Sequence, residues 1–316
     1  MRPWVTVIIP VFNDTIRLNT ALSALGCQSL PRGAFEVVVV DNGSTDGCAE
    51  VVGNHHRVRY LQERNHPGSP YSARNRGIEV ARGDVVAFLD GTCVPDPTWL
   101  ESAHDAFAGN DMDMLAGQVR FEVEEDDDLG SIYDGLFNVD GQFSVAKGWA
   151  PTANLFVRRW IFERHGAFNE GVRSGEDYRY TRALVAAGMR LRYVPSVLVY
   201  KRPRTLVQLI EKQRRVARGQ VYVWRREGRV YSYFAKALYR GIVPPNPLAL
   251  WRRIRDRGSP WMRGYFVRLY LLRYRMGALM LMESVRELVR TAKGKSRQTV
   301  AEQAVPNSGK RKGTGS

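Results

Sequence analysis

Apolar residues over the first ninety positions alternate between two periods. Val5–Ile9, Phe35–Val40, Val58–Leu61 and Val85–Leu89 are short apolar runs, the pattern of strands buried on both faces of a parallel sheet. Between them the spacing turns helical. Ile16, Leu18, Leu22 and Leu25 predict a helix from about Asp14, Asp46–Val52 a shorter one, and Ser69–Arg82 a third stopped by Gly83. Asp96-Pro97 predicts the start of a fourth, with Asp as N-cap and Pro in the first helical position. This βαβαβαβ order implies an α/β fold, an open and mainly parallel sheet flanked by helices.

Further along, Thr152–Val157 predicts a strand, Arg159–His165 a short helix, and Glu176–Ala187 an amphipathic helix ended by Gly188. Arg190–Tyr193 and Val197–Tyr200 predict two short strands returning to the sheet. Six acids in the seven positions Glu122–Asp128 predict a solvated loop. Beyond Lys201 come helices rich in arginine and aromatic residues, broken at Pro244-Pro245-Asn246-Pro247, and a polar stretch from about Ala292 is expected to be disordered. The expected organisation is an α/β domain over residues 1–203, a basic helical extension over 204–291 and a basic tail over 292–316.

Charge changes this picture more than composition does. The chain of 316 residues carries a net +15, but residues 1–150 hold 11 basic and 22 acidic side chains, and residues 151–316 hold 36 and 10. A uniformly basic nucleic-acid binder is excluded by that split. In residues 197–316, 28 basic and 6 acidic side chains interleave with Tyr222, Trp224, Tyr231, Trp251 and Trp261. This suits helices lying on an anionic leaflet or RNA contacts, and it leaves core packing or a homo-oligomer interface open. The leading run Trp4–Phe12 is interrupted by Pro10 and lacks the features of a signal peptide. The best spanning candidate, Trp261–Met282, carries Arg263, Arg268, Arg273 and Arg275, so a transmembrane segment is not expected. Cys27, Cys48 and Cys93 are too few and too scattered for a disulfide framework or zinc site, and a cytoplasmic location is expected.

Ligands of parallel sheets bind beyond the carboxyl ends of the strands. Pro10-Val11-Phe12-Asn13, Asp41-Asn42-Gly43-Ser44 and Asp90-Gly91-Thr92 all fall there. The first turn is not GxGxxG and no GxxxxGKS/T occurs, so dinucleotide dehydrogenases and P-loop NTPases lose their phosphate-binding devices.

With Val7–Asn13, Val40–Asp46, Ala73-Arg74-Asn75-Arg76-Gly77, Ala81–Asp84, Phe88-Leu89-Asp90 and Gly175-Glu176-Asp177 in this order, the chain resembles a family-2 glycosyltransferase of the GT-A fold over about residues 4–203. The resemblance implies transfer of a sugar from a nucleoside diphosphate to an acceptor hydroxyl with inversion, the acceptor being a lipid-linked or polysaccharide glycan. Asp177 matches the position of the general base, with Glu176 orienting it or meeting the acceptor. Asp41 matches the nucleoside contact, and a UDP-sugar is the expected donor, although Asn42 replaces a common Asp. Pro10, Phe12, Asn13, Arg74, Asp90, Gly91 and Thr92 match the donor side, and Trp149 and Asn154 the acceptor and sugar side. The resemblance also turns the basic extension towards an anionic membrane surface and away from nucleic acid.

The metal site departs from the family. Asp90-Gly91-Thr92 stands where a DXD motif would hold Mg2+ or Mn2+, and its last position is a neutral threonine. Lys201 stands where relatives carry a histidine that joins the metal shell. The expectation is that Asp90 holds no metal tightly and that Lys201, with Arg202 or Arg204, stabilises the departing diphosphate; the alternative is a retained Mg2+ or Mn2+ held by Asp90 and the diphosphate oxygens, with waters filling its shell. A different outcome of the same losses is a sugar-nucleotide-binding or scaffolding protein of a polysaccharide assembly complex.

Overall fold

The computed structural model describes residues 2–109 and 111–303, with the backbone alone for 293–303. Its elements run β1 (Val5–Val11), α1 (Thr15–Gly26), β2 (Phe35–Asp41), α2 (Cys48–Gly53), β3 (Val58–Gln62), α3 (Pro70–Val80) and β4 (Val85–Leu89). There follow β5 (Cys93–Pro95), α4 (Trp99–Ala108), β6 (Met114–Phe121), α5 (Leu129–Phe137), α6 (Gly141–Ala146), β7 (Asn154–Arg158), α7 (Trp160–His165), α8 (Glu176–Ala186) and β8 (Leu191–Lys201). The rest is helical: α9 (Leu206–Arg226), α10 (Val230–Ile242), α11 (Pro247–Arg257), a 3-10 turn and α12 (Phe266–Gln303).

Eight strands form one sheet in the order β3-β2-β1-β4-β7-β6-β8-β5. The first four are parallel, so their carboxyl ends share one edge. β7 runs antiparallel to both β4 and β6, β8 is parallel to β6, and β5 is antiparallel to β8. Alternate residues of the parallel strands enter two cores, one on each face. Val5, Val7, Ile9, Val37 and Val39 pack with α1 and α4, whereas Ile8, Val38, Val40, Val86 and Phe88 pack with α3, α7 and α8. Burial on both faces explains why these strands read as continuous apolar runs. Gly77 lets α3 lie against β1, since a Cβ there would come within 2.5 Å of the Ile8 side chain.

The antiparallel half departs from expectation. The two strands predicted over 190–200 are one strand, β8, whose pairing with β6 slips at Gly117/Gln118 opposite Pro195, Ser196 and Val197. Thr152 lies before β7, and the fourth helix starts at Trp99 because Asp96 closes a turn by accepting from the Thr98 N–H. The acidic run is a loop with a structural end: Asp128 accepts from Ser131 N–H and Leu206 N–H and so joins the starts of α5 and α9.

The boundary expected after residue 203 passes through a third core. Ile132, Tyr133 and Leu136 of α5 pack with Leu209 of α9, Ile254 of α11 and Leu272 of α12. The extension is therefore continuous with the α/β part. The helical backbone of α12 runs to Gln303, through the first part of the tail expected from Ala292; residues 304–316 lie outside the described residues. Among the described residues no helix is long and apolar enough to cross a membrane. All three cysteines are free thiols.

Candidate active site

The carboxyl ends of β1 and β2 are tied to each other. Asn13 Oδ1 accepts from Thr45 N–H at 2.8 Å, and Ser44 Oγ accepts from Asn13 N–H at 2.9 Å. Asp41 is buried, with Oδ1 accepting from Ser44 N–H at 2.8 Å and Oδ2 from the Tyr60 hydroxyl at 2.7 Å. Burial and that bond to Asp41 push the Tyr60 phenol up to about 12. Asn42, also buried, accepts from Gly68 N–H at 3.1 Å and anchors the loop before α3. Asp41 and Asn42 thus shape the crevice from beneath, while Phe12 stands 53% exposed at its rim. Pro10 brings its carbonyl oxygen to 3.4 Å of where a Cβ on Gly91 would sit, which keeps the ends of β1 and β4 close.

Asp90, at the end of β4, lies between two cations. Arg74 Nη2 reaches Oδ1 at 2.8 Å and Lys201 Nζ reaches Oδ2 at 3.2 Å; Lys201 is only 2% exposed. Burial pushes the Asp90 carboxyl up, but Lys201, Arg74 and Arg204 outweigh it and hold the pKa at about 2. Arg74 Nε is buried without a partner and leaves one donor unspent here. Arg204 is fixed by Asp134 of α5, which accepts its backbone N–H at 3.0 Å and its Nη1 at 3.3 Å. Arg202 turns away to Glu124 and Asp127 of the acidic loop, so of the two arginines considered beside Lys201 only Arg204 acts on this cluster.

Few oxygen donors gather where a divalent cation would be expected. Both Asp90 oxygens already face cations, Thr92 offers a neutral hydroxyl, and among the described residues no three His, Cys, Asp or Glu side chains gather as a metal cluster.

Asp177 stands in the first turn of α8. Its Oδ1 accepts from Tyr178 N–H at 2.9 Å and from the Tyr71 hydroxyl at 3.1 Å. Burial pushes its carboxyl above the usual range, against the opposing pull of the Tyr178 N–H, Arg74 and Tyr71. Trp149 is half-buried and meets the Tyr178 ring edge-on, 5.4 Å between centroids, which places an aromatic wall beside Asp177. Gly219 of α9 closes over the loop before Asp177: a Cβ there would sit 2.8 Å from Ser174 Cβ.

Two sequence-predicted residues have other work. Asn154 is buried and donates to Gln118 O at 3.0 Å and Val197 O at 2.9 Å while accepting from Trp99 Nε1 at 2.9 Å. Its side-chain amide joins β7 to β6 and β8. Glu176 is fully buried, accepting from Asn169 N–H at 2.8 Å and pairing with Arg179, so it steadies the turn before Asp177. Residues that sequence reasoning missed are Tyr71, Asp134 and Lys212. A buried acid in the sequence Leu129–Phe137, otherwise apolar apart from Ser131, was the available signal for Asp134.

A separate cavity of about 310 Å³ lies at the amino ends of β2 and β3, lined by Leu22, Arg32, His55 and Val58 among others. It is on the opposite edge of the sheet from Asp90 and Asp177.

The parallel half-sheet, its antiparallel return through β7 and the carboxylates at its carboxyl edge define a GT-A glycosyltransferase. The profile of glycosyl transferase family 2 matches residues 6–168, and the chain belongs to that family. It is 34% identical over 278 residues to glycosyltransferase AglE of Haloferax volcanii, covering 85% of this chain and 91% of that one. To the pre-mycofactocin glycosyltransferase of Mycobacterium tuberculosis it is 33% identical over 211 residues, 64% of this chain and 43% of the relative. In structure it is similar to the mannosyltransferase PcManGT of Pyrobaculum calidifontis, solved with GDP-Man and Mn2+, at a TM-score of 0.59, 24% identity and coverage of 91% and 88%. S. aureus TarS 1-349 aligns at a TM-score of 0.54, 19% identity and coverage of 91% and 92%.

Proposed function

We propose that the protein transfers a sugar from a nucleoside-diphosphate donor to an acceptor hydroxyl with inversion, without a metal ion at the diphosphate. The observation that carries this reading is Asp90 held between Arg74 and Lys201. In the proposed step Asp177 takes the proton of the acceptor hydroxyl as its oxygen attacks the anomeric carbon. The bond from that carbon to the diphosphate oxygen breaks, and the nucleoside diphosphate leaves with one more negative charge. Lys201, Arg74 and Arg204 meet that charge. Preorganised cations in a site of low dielectric do what a divalent ion does elsewhere. Solved neighbours hold GDP-Man, UDP and UDP-GlcNAc, which supports a nucleotide-sugar donor, with UDP-sugars the first to try. Incubation with UDP-, GDP- and dTDP-sugars should release the matching nucleoside diphosphate and give a product of inverted anomeric configuration by NMR. Tight donor binding without release from any donor would instead support a scaffolding protein.

Two exposed helix faces of the C-terminal part suit an anionic membrane surface. On α10, Tyr231, Tyr239 and Ile242 share one exposed face at 91%, 66% and 58%. On α12, Val267, Leu271, Met282, Val285 and Val289 recur on one exposed stripe, with Arg268 and Arg275 alongside. Apolar residues bordered by arginines suit the boundary of headgroups and acyl chains, where a lipid-linked acceptor would be met. Vesicles containing phosphatidylserine should sediment the chain, increasingly so as their anionic fraction rises. Ile242→Glu should weaken that binding about tenfold. Sedimentation that ignores lipid charge, or a gel shift with RNA and none with vesicles, would contradict the assignment.

A further inference from the structure

Lys212, two turns into α9, belongs to a group of charges that does not balance. Its Nζ lies 3.7 Å from Asp134 Oδ1, and the other oxygen of that fully buried carboxylate is taken by Arg204. The charged groups acting on Lys212 are Asp134 from α5, Arg204 from the segment before α9, Lys201 from β8 and Arg215 from α9 itself. Lys212 thus meets one carboxylate and three other cations, and of these Lys201 pairs with Asp90, on which Arg204 acts as well. The Lys212 side chain is only 16% exposed, so solvent screens this excess poorly.

We infer that Lys212 is a proton-linked arm of the leaving-group subsite, which takes up a proton when a nucleoside diphosphate binds beside Lys201 and Arg204. The inference rests on the donor reading above. Burial, Arg204, Lys201 and Arg215 draw the lysine down to about 7, against Asp134. A bound diphosphate supplies the missing negative charge and returns it towards the ordinary value of about 10.4. Below about pH 6 the lysine is charged in both states and takes up no proton, while the terminal phosphate of the nucleotide, which titrates near pH 6, gives up part of its own. Above 7 the free protein has lost the proton that the complex holds, so binding takes one up and affinity falls as pH rises. The departing diphosphate carries more charge than the donor, so this arm holds the leaving group more strongly than the bound sugar nucleotide.

Isothermal titration calorimetry with UDP, GDP and dTDP at pH 8, in buffers of different ionisation enthalpy, counts that proton. At pH 8, where the terminal phosphate of the nucleotide is already ionised, the wild type should take up most of one proton with the nucleotide that binds most tightly. Lys212→Arg, charged throughout this range, should bind with no uptake at pH 8 and with an affinity that no longer falls between pH 7.5 and pH 8.5. Nucleotide binding with no proton uptake by the wild type at pH 8, or uptake that persists in Lys212→Arg, overturns the Lys212 assignment and leaves the donor reading intact. No binding of any of the three nucleotides overturns both.

Discussion

Asp177→Asn should lower turnover by about 10³-fold while leaving donor affinity within about twofold. The asparagine side chain keeps the shape and can still accept through its oxygen from Tyr178 N–H and the Tyr71 hydroxyl. What it loses is the capacity to take the acceptor's proton. Burial has pushed the Asp177 carboxyl upward, so the wild-type rate should fall on acidification at a pH above the ordinary aspartate range. That acidic limb should disappear in the variant. Steady-state rates across pH, beside donor binding by calorimetry, separate this role from a structural one. A variant with unchanged turnover would remove Asp177 from the mechanism.

Lys201→Met should cost about 10²–10³-fold in turnover. Methionine fills much of the same buried volume, so the principal loss is charge. Asp90 then keeps Arg74 and the influence of Arg204, and its carboxyl rises from about 2 as the largest opposing cation disappears. The loss should fall mainly on turnover, because the diphosphate gains its extra charge in the transition state and not on binding. Rates measured at saturating and at limiting donor make that distinction. A pure loss of affinity would make Lys201 an ordinary binding residue.

The site was legible in the sequence where the fold is regular. Parallel strands buried on both faces announce themselves as apolar runs, and the carboxyl ends of β1, β2 and β4 delivered Asn13, Asp41 and Asp90 to one edge. Residue types also flagged Thr92 and Lys201 as departures. Much of what hold the site together was not legible. β5 has three residues, β6 carries Gly117, Gln118 and Arg120, and α5 has two glycines in nine residues, so local propensity argued against each. Without α5, the acid Asp134 had no place, and the arginines and lysines of α9 read only as a basic surface. The third core explains the difference: α5 is held by Leu209, Ile254 and Leu272, from parts of the chain 70 or more residues away. Asn154 and Glu176 show the converse, polar residues in the right motifs whose hydrogen bonds are spent on the scaffold.

The central claim is that side-chain cations take the place of a metal at the leaving diphosphate. Donor turnover, followed as nucleoside diphosphate release after exhaustive treatment with EDTA and again with added Mn2+, tests it directly. The arrangement of Arg74, Lys201 and Arg204 around Asp90 predicts rates in EDTA within about twofold of those with Mn2+. Activity abolished by EDTA and restored by Mn2+ would contradict it.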